Sequence, residues 1–242
     1  MKSLGGVIAI CAAIVLSMII GAGAFLQRND GARSIGVTGS TRVEFDSDLI
    51  VWSGSFTRRA MEIQAAFTLL EKDRTAIRDY LTAKGIQPEL QVFSSIDIRK
   101  EYDETRENGR RVRNEFTGYV LSQSVTIESK NVDRVETVSR EVTELIKSGI
   151  EFISNDPRYY YPRLAELKIR MITAATEDGK QRAERIAASA GARLSKLKSA
   201  SLGVFQITAP NSDEEMSWAG AFNTSSKRKT GLVTVRLQFA VK

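Results

Sequence analysis

Leu4 to Leu26 reads LGGVIAICAAIVLSMIIGAGAFL and contains no charged residue. Twenty-three residues at helical rise cover roughly 35 Å, against roughly 30 Å for a bilayer's hydrocarbon core. A run that apolar has no place on a soluble surface, so it either crosses a membrane or directs export. As an uncleaved signal anchor the whole segment stays in the bilayer. As a cleaved signal peptide, Met1-Lys2-Ser3 is the charged n-region and Val7 to Ile20 the h-region, with Ala22-Gly23-Ala24 as the small-x-small cleavage motif. The length of the run favours the anchor. Lys2 precedes it and Arg28 and Arg33 follow it, so flanking charge sets orientation weakly; N-in, C-out is the default for a segment so near the start. Ile10 stands where a lipoprotein needs a small residue before Cys11, so lipidation is not expected.

The residues that are missing exclude most chemistry. The 242-residue chain has no histidine, which removes the commonest metal ligand and the commonest general base at neutral pH. Its single cysteine, Cys11, lies inside the apolar run, so the folded part holds neither an intrachain disulfide nor a thiolate site. Ser–His–Asp, Cys–His and zinc-type sites are excluded. The net charge of +6 comes from 35 basic and 29 acidic residues that are interleaved, as in Glu71-Lys72-Asp73-Arg74, so it describes a solvated surface. A hydrophobic content of 42% with 26% charged residues is that of a globular chain with a proper core.

After a polar linker (Gln27 to Arg33), alternation begins. Ile35, Val37, Gly39, Thr41, Val43 and Phe45 share one strand face. Asp46-Ser47-Asp48 supplies turn chemistry, and Leu49 to Phe56 forms a second strand; the two together predict a hairpin. From Arg58 a helical period follows through Ala60, Ile63, Phe67, Leu70, Ile77 and Leu81, ended by Gly85. Strands are expected at Leu90 to Tyr102 and Val112 to Ile127, joined by a charged hairpin containing Asn108-Gly109. Asn131 or Asp133 caps a second helix with Val132, Val135, Val142, Leu145 and Ile146 facing inward, stopped by Gly149 and followed by a short strand at Ile150 to Ser154. A third helix runs from Pro162 to about Ala190, with Leu164, Leu167, Met171, Ala175, Ala183, Ile186 and Ala190 inside and Gly191 closing it. Its alanines permit close approach of another element. Ser201 to Ala209 and Leu232 to Val241 read as strands, and the twenty-odd residues Pro210 to Gly231 show no period.

The predicted class is α+β: antiparallel or mixed sheets, three main helices and an N-terminal hydrophobic helix. The order ββα–[ββαβ]–αββ suggests two interleaved subdomains. Residues 1–30 are anchor or signal plus linker; 34–85 and 157–242 form an outer subdomain, and 86–156 an inserted one.

Ile35-Gly36-Val37-Thr38-Gly39-Ser40, the Asp46-Ser47-Asp48 turn, Leu81-Thr82-Ala83-Lys84-Gly85-Ile86, Phe116-Thr117-Gly118-Tyr119 and the alanine-rich helix ending at Gly191 occur in an order and spacing that resembles the SIMPL-domain family. That family includes periplasmic immunogenic and oxidative-stress-related envelope proteins of Gram-negative bacteria. The resemblance implies an exported α+β protein without assigned catalysis, some relatives forming large ring-like or channel-like homo-oligomers. Read from the apolar run, the location is the inner membrane, with one N-terminal span through residues 4–26 and the body in the periplasm, or a soluble periplasmic form after cleavage near Ala24; an uncleaved anchor departs from the simplest members of the family and speaks against a freely diffusing ring. The resemblance supplies no catalytic residue, cofactor or metal ligand.

Asp46 and Asp48 read as turn residues rather than an acid–base or calcium pair, since further oxygen ligands at alternate positions are missing. Arg106, Arg110, Arg111 and Arg113 are interspersed with Asp103, Glu104, Glu107 and Glu115, so nucleic acid is not an expected partner. Tyr159-Tyr160-Tyr161 is read as packing at a helix entrance, with a sugar-stacking or membrane-interface platform the alternative. Trp52 and Phe56 are assigned to the core. No serine and lysine are singled out as a dyad. Pro210 to Gly231 holds Trp218 and Phe222 and the basic run Lys227, Arg228 and Lys229, and aromatic residues on a loop are what interfaces use as anchors. What the resemblance implies for function is a non-enzymatic, membrane-tethered or periplasmic protein that self-assembles, with a role in envelope homeostasis or stress tolerance. An adaptor that holds an envelope protein by loop 210–231 is the alternative, and a carboxylate-based hydrolase the more distant one.

Overall fold

The structure, a computed structural model, describes residues 13–22, 34–107, 110–211 and 217–242, without the side chains of 104–107 and 110–114. Residues 13–22 are helical (α1) and expose Ile14, Leu16, Met18 and Ile20. Among the described residues no helix is long and apolar enough to cross a membrane, and the remainder of the Leu4 to Leu26 run lies outside them.

In chain order the body comprises β1 (Ser34–Asp46), β2 (Leu49–Ala60), α2 (Ile63–Ala83), β3 (Gln91–Phe93), β4 (Asp97–Glu107), β5 (Arg110–Ser129) and α3 (Val132–Glu141). A 3₁₀ turn over Val142–Ser148 leads to β6 (Phe152–Ser154), β7 (Arg158–Tyr160) and α4 (Leu164–Ser189). The chain ends with β8 (Leu194–Leu202), β9 (Gln206–Thr208), β10 (Ala221–Phe222) and β11 (Arg228–Val241). The chain is α+β, and its strands form one five-stranded and one six-stranded sheet.

β11 organises the first sheet. It pairs antiparallel with β1 along the whole of β1 and with β8 and β9 on its other side, while β10 adds parallel to β9. Val233, Val235, Leu237 and Phe239 alternate inward as the period-2 pattern requires, and α4 covers them with Leu167, Met171, Ala175 and Ala183. The alanines do permit close approach. A Cβ on Gly39 of β1 would lie 2.0 Å from the Ala175 carbonyl and 2.5 Å from the Gly179 nitrogen, so backbone meets backbone there.

β2 organises the second sheet. It pairs antiparallel with β5 from Ile50 to Ala60, and with β7 and β6 on its other edge. Ile50, Trp52 and Phe56 point into a core completed by Leu70, Ile77 and Leu81 of α2 and Val135 and Val138 of α3. Trp52 and Phe56 are core residues. The Trp52 Nε1–H donates to Ser154 Oγ at 3.0 Å, whose hydroxyl donates to the Ser139 carbonyl at 3.0 Å, so the indole's polar atom is satisfied where it is buried.

Several expectations are corrected. β1 and β2 are both strands but not a hairpin: each finds its partners in a different sheet. Asp46-Ser47-Asp48 is a crossover, held where the Ser47 N–H donates to the Lys227 carbonyl at 2.9 Å. Consequently β2 and α2, grouped by the sequence order with 157–242, share sheet and core with β3 to β7. The reason is that β2's apolar face buries Trp52 and Phe56 against α2 and β5. Ile146, Ile186 and Ala190 are exposed; the first lies in the 3₁₀ turn, whose three-residue period turns it away from the core. Gly179 and Ala187 take inward places on α4 instead. The predicted strand at 90–102 is broken into β3 and β4 at Ser94 to Ile96. The Asn131 cap, the β4–β5 hairpin and the positive φ of Gly85, Gly149 and Gly191 agree with the sequence.

Candidate functional site

The region between β10 and β11 lies where the two sheets meet. Asn223 opens it with an Asx turn, its Oδ1 accepting from the Ser226 N–H at 2.9 Å. Its backbone is held from both sides: the Asn223 N–H donates to the Ile207 carbonyl at 2.8 Å, and the Tyr159 N–H to the Thr224 carbonyl at 2.7 Å. The aperiodic stretch of sequence is thus, over 223–231, a docked clasp between β9 of one sheet and β7 of the other.

Its cations serve that docking. The Lys227 ammonium pairs with Asp133 and approaches Glu136 to 3.8 Å, which ties the clasp to α3. These partners hold the Lys227 ammonium above its ordinary pKa. Arg228 pairs with Glu44 across the β1–β11 ladder at 2.6 Å. Lys229 is fully buried; its Nζ donates to the Asn223 carbonyl at 2.5 Å and the Ser226 carbonyl at 2.7 Å, and lies 5.9 Å from the Phe222 ring centre. The three cations read in sequence as an interaction patch are therefore held within the fold.

The two aromatics separate. Phe222 is half exposed in β10, beside Lys229. Trp218 is 98% exposed among the described residues. An indole so placed is the kind of group that interfaces bury as an anchor. A second apolar feature lies elsewhere, a 460 Å³ groove formed by Ile63, Phe67, Ile98 and Leu121 with Gln64 and Thr68. Met61 beside it is also exposed.

Beneath the clasp is a polar cavity of about 750 Å³, within the range of small-molecule sites. Val51 and Ser53 of β2, Asn155 to Pro157 of the β6–β7 connection, Arg158 and Tyr160 of β7, and Thr224 and Ser225 line it. The Asn155 N–H donates to the Ser53 carbonyl at 3.0 Å and its Nδ2 to Ser53 Oγ at 3.1 Å, which fixes the connection against β2. Among the described residues of the lining, Asp156 is the single carboxylate.

The tyrosine triplet is split three ways. Tyr159 is core, its hydroxyl beside Glu136, and burial raises its pKa. Tyr160 lines the cavity, and Tyr161 packs on Phe45 with ring centres 4.9 Å apart. Asp48 pairs with Arg163 at 3.0 Å, which ties the crossover to the start of α4. Arg106, Arg110, Arg111 and Arg113 sit in the β4–β5 hairpin, and their side chains lie outside the described residues. Among the described residues no three His, Cys, Asp or Glu side chains gather as metal ligands.

Asn155, Asp156 and Arg158 were not singled out by sequence, because Asn-Asp-Pro reads only as a turn. The burial of Lys229 was legible: continuing the inward face of β11 back from Val233 by twos gives Gly231 and then Lys229.

Two antiparallel-rich sheets, one covered by α4 and the other by α2 and α3, and clasped where they meet, define an α+β protein of the SIMPL type. The family model described as "SIMPL: Protein of unknown function (DUF541)" matches residues 35–241, and the chain belongs to that family. No curated protein matches it.

Proposed function

We propose that this SIMPL-domain chain is a non-catalytic envelope protein, held at the inner membrane by residues 4–26 with its folded body in the periplasm, and that it works by self-assembly in envelope homeostasis or stress tolerance. Release near Ala24 would leave the same body soluble in that compartment. The uncharged 23-residue leader supports export. The observation that carries the assembly reading is Trp218, 98% exposed, whereas the other large aromatics among the described residues are at least half covered. Each copy also presents the groove at Phe67 and Ile98, and a knob and a hole at different places on one surface are what a head-to-tail contact between copies uses. The adaptor reading uses the same indole against a different envelope protein.

The mass of the detergent-solubilised full chain, measured by light scattering, separates the two. A multiple of 26.8 kDa that falls to the single-chain mass in W218A supports assembly. A 26.8 kDa wild type removes it and leaves the adaptor. A reporter fused after Lys242 that is active only in the cytoplasm overturns the envelope location.

A further inference from the structure

The cavity beneath the clasp holds charges of both signs that the fold does not use. Among the described residues, the side chains of Asp156 and Arg158 make neither an ion pair nor a hydrogen bond, although both line this cavity. Their neighbours behave otherwise: Asp48, Arg163, Lys227 and Asp133 are all paired. Asp156 and Arg158 stand two positions apart with Pro157 between them, so the backbone that spaces the two charges is restrained by a fixed φ. Asn155 strengthens this, since its contacts to Ser53 anchor the start of the segment on β2 and leave Oδ1 as an open acceptor. Elsewhere in the lining, the Tyr159–Thr224 backbone bond places Thr224 and Ser225.

A carboxylate and a guanidinium facing one cavity recognise a ligand of matching polarity. A simple anion would be attracted by Arg158 and repelled by Asp156, and a simple cation the reverse. A molecule carrying both charges satisfies both, with charge-assisted hydrogen bonds at each end. Hydroxyls and an amide then meet its remaining polar atoms, and Val51, Pro157 and Tyr160 supply the apolar lining that such sites use.

We propose that this cavity is a binding site for a small zwitterion of the amino-acid type, its ammonium on Asp156 and its carboxylate on Arg158. The site stands whether or not the protein self-assembles.

The test is calorimetric titration and thermal shift of the full chain in detergent with glycine, alanine, glutamate, lysine and glycylglycine. Acetate, methylammonium and glucose serve as the single-charge and uncharged controls. At least one zwitterion is expected to bind and raise the melting temperature while the controls do not. D156N and R158Q each weaken that binding by roughly tenfold or more. Both residues are on the surface, so an unchanged melting temperature without ligand shows that the variants fold. Three results overturn the proposal: no zwitterion binding at millimolar concentration, binding that survives both substitutions, or glucose binding in place of the zwitterions.

Discussion

Arg58 of β2 holds Asp73 of α2 at two points, Nε on Oδ2 and Nη2 on Oδ1, the second at 2.8 Å. The same Nη2 donates to the Gly149 carbonyl at 2.8 Å, so one guanidinium joins a strand, a helix and the turn after α3. Asp73 is 4% exposed, and the pairing raises the Arg58 pKa above its ordinary value. A charge this deep is tolerated because its partner is bidentate.

Removing one partner is expected to cost more than removing both. Asp73→Ala leaves a half-buried guanidinium without its acid and should destabilise by about 3 kcal/mol. Arg58→Met with Asp73→Leu should lose clearly less. Urea unfolding of the two singles and the double checks this; a double mutant at the sum of the singles would mean no coupling.

The crossing of β1 over α4 predicts a contrast between two glycines of one strand. Gly39→Ala puts a methyl within 2.5 Å of backbone atoms that cannot rotate away, so a loss of about 3 kcal/mol or more is expected. Gly36→Ala has nothing within 4 Å and should be neutral to slightly stabilising. Thermal melts of the pair decide it.

Lys229→Met should keep the apolar stem and lose the ammonium. The Asn223 and Ser226 carbonyls then lack their donor, and a loss of about 2 kcal/mol is expected. Hydrogen exchange should rise over residues 223–228 and remain as before in β5. Uniform exchange throughout would show that Lys229 does not hold the clasp.

Acid should weaken the β1–α4 contact. Asp178 Oδ2 accepts from the Ser40 N–H at 2.9 Å, and Arg182 Nε donates to Oδ1 at 3.0 Å. The Ser40 N–H and then Arg182 lower its pKa, so the folded state binds the proton less readily than the unfolded chain. The stabilisation is full above the unfolded carboxylate pKa of about 4 and is lost as pH falls through the lower folded value. Asp178→Asn can still accept from Ser40 but has no charge to titrate. Its stability should therefore fall less steeply than wild type below about pH 4 in acid unfolding followed by circular dichroism.

Local chemistry was legible residue by residue. The alternation of β1, β2 and β11, the Asn131 cap and the glycines ending α2, the 3₁₀ turn and α4 all follow from periods and φ preferences that neighbours in sequence determine. The absence of histidine and of any cysteine beyond Cys11 likewise needed no coordinates. Pairing was not local. Whether β1 turns back on β2 or crosses to another sheet depends on β11 and β5, which lie up to some 200 residues away, and strand alternation is the same in either case. The cavity lies further still from sequence, because Asp156 and Arg158 share its lining with Thr224, whose carbonyl accepts from the Tyr159 N–H about 65 residues away. Side-chain character belongs to the residue, whereas which groups face one another belongs to hydrogen bonds closed across the whole chain.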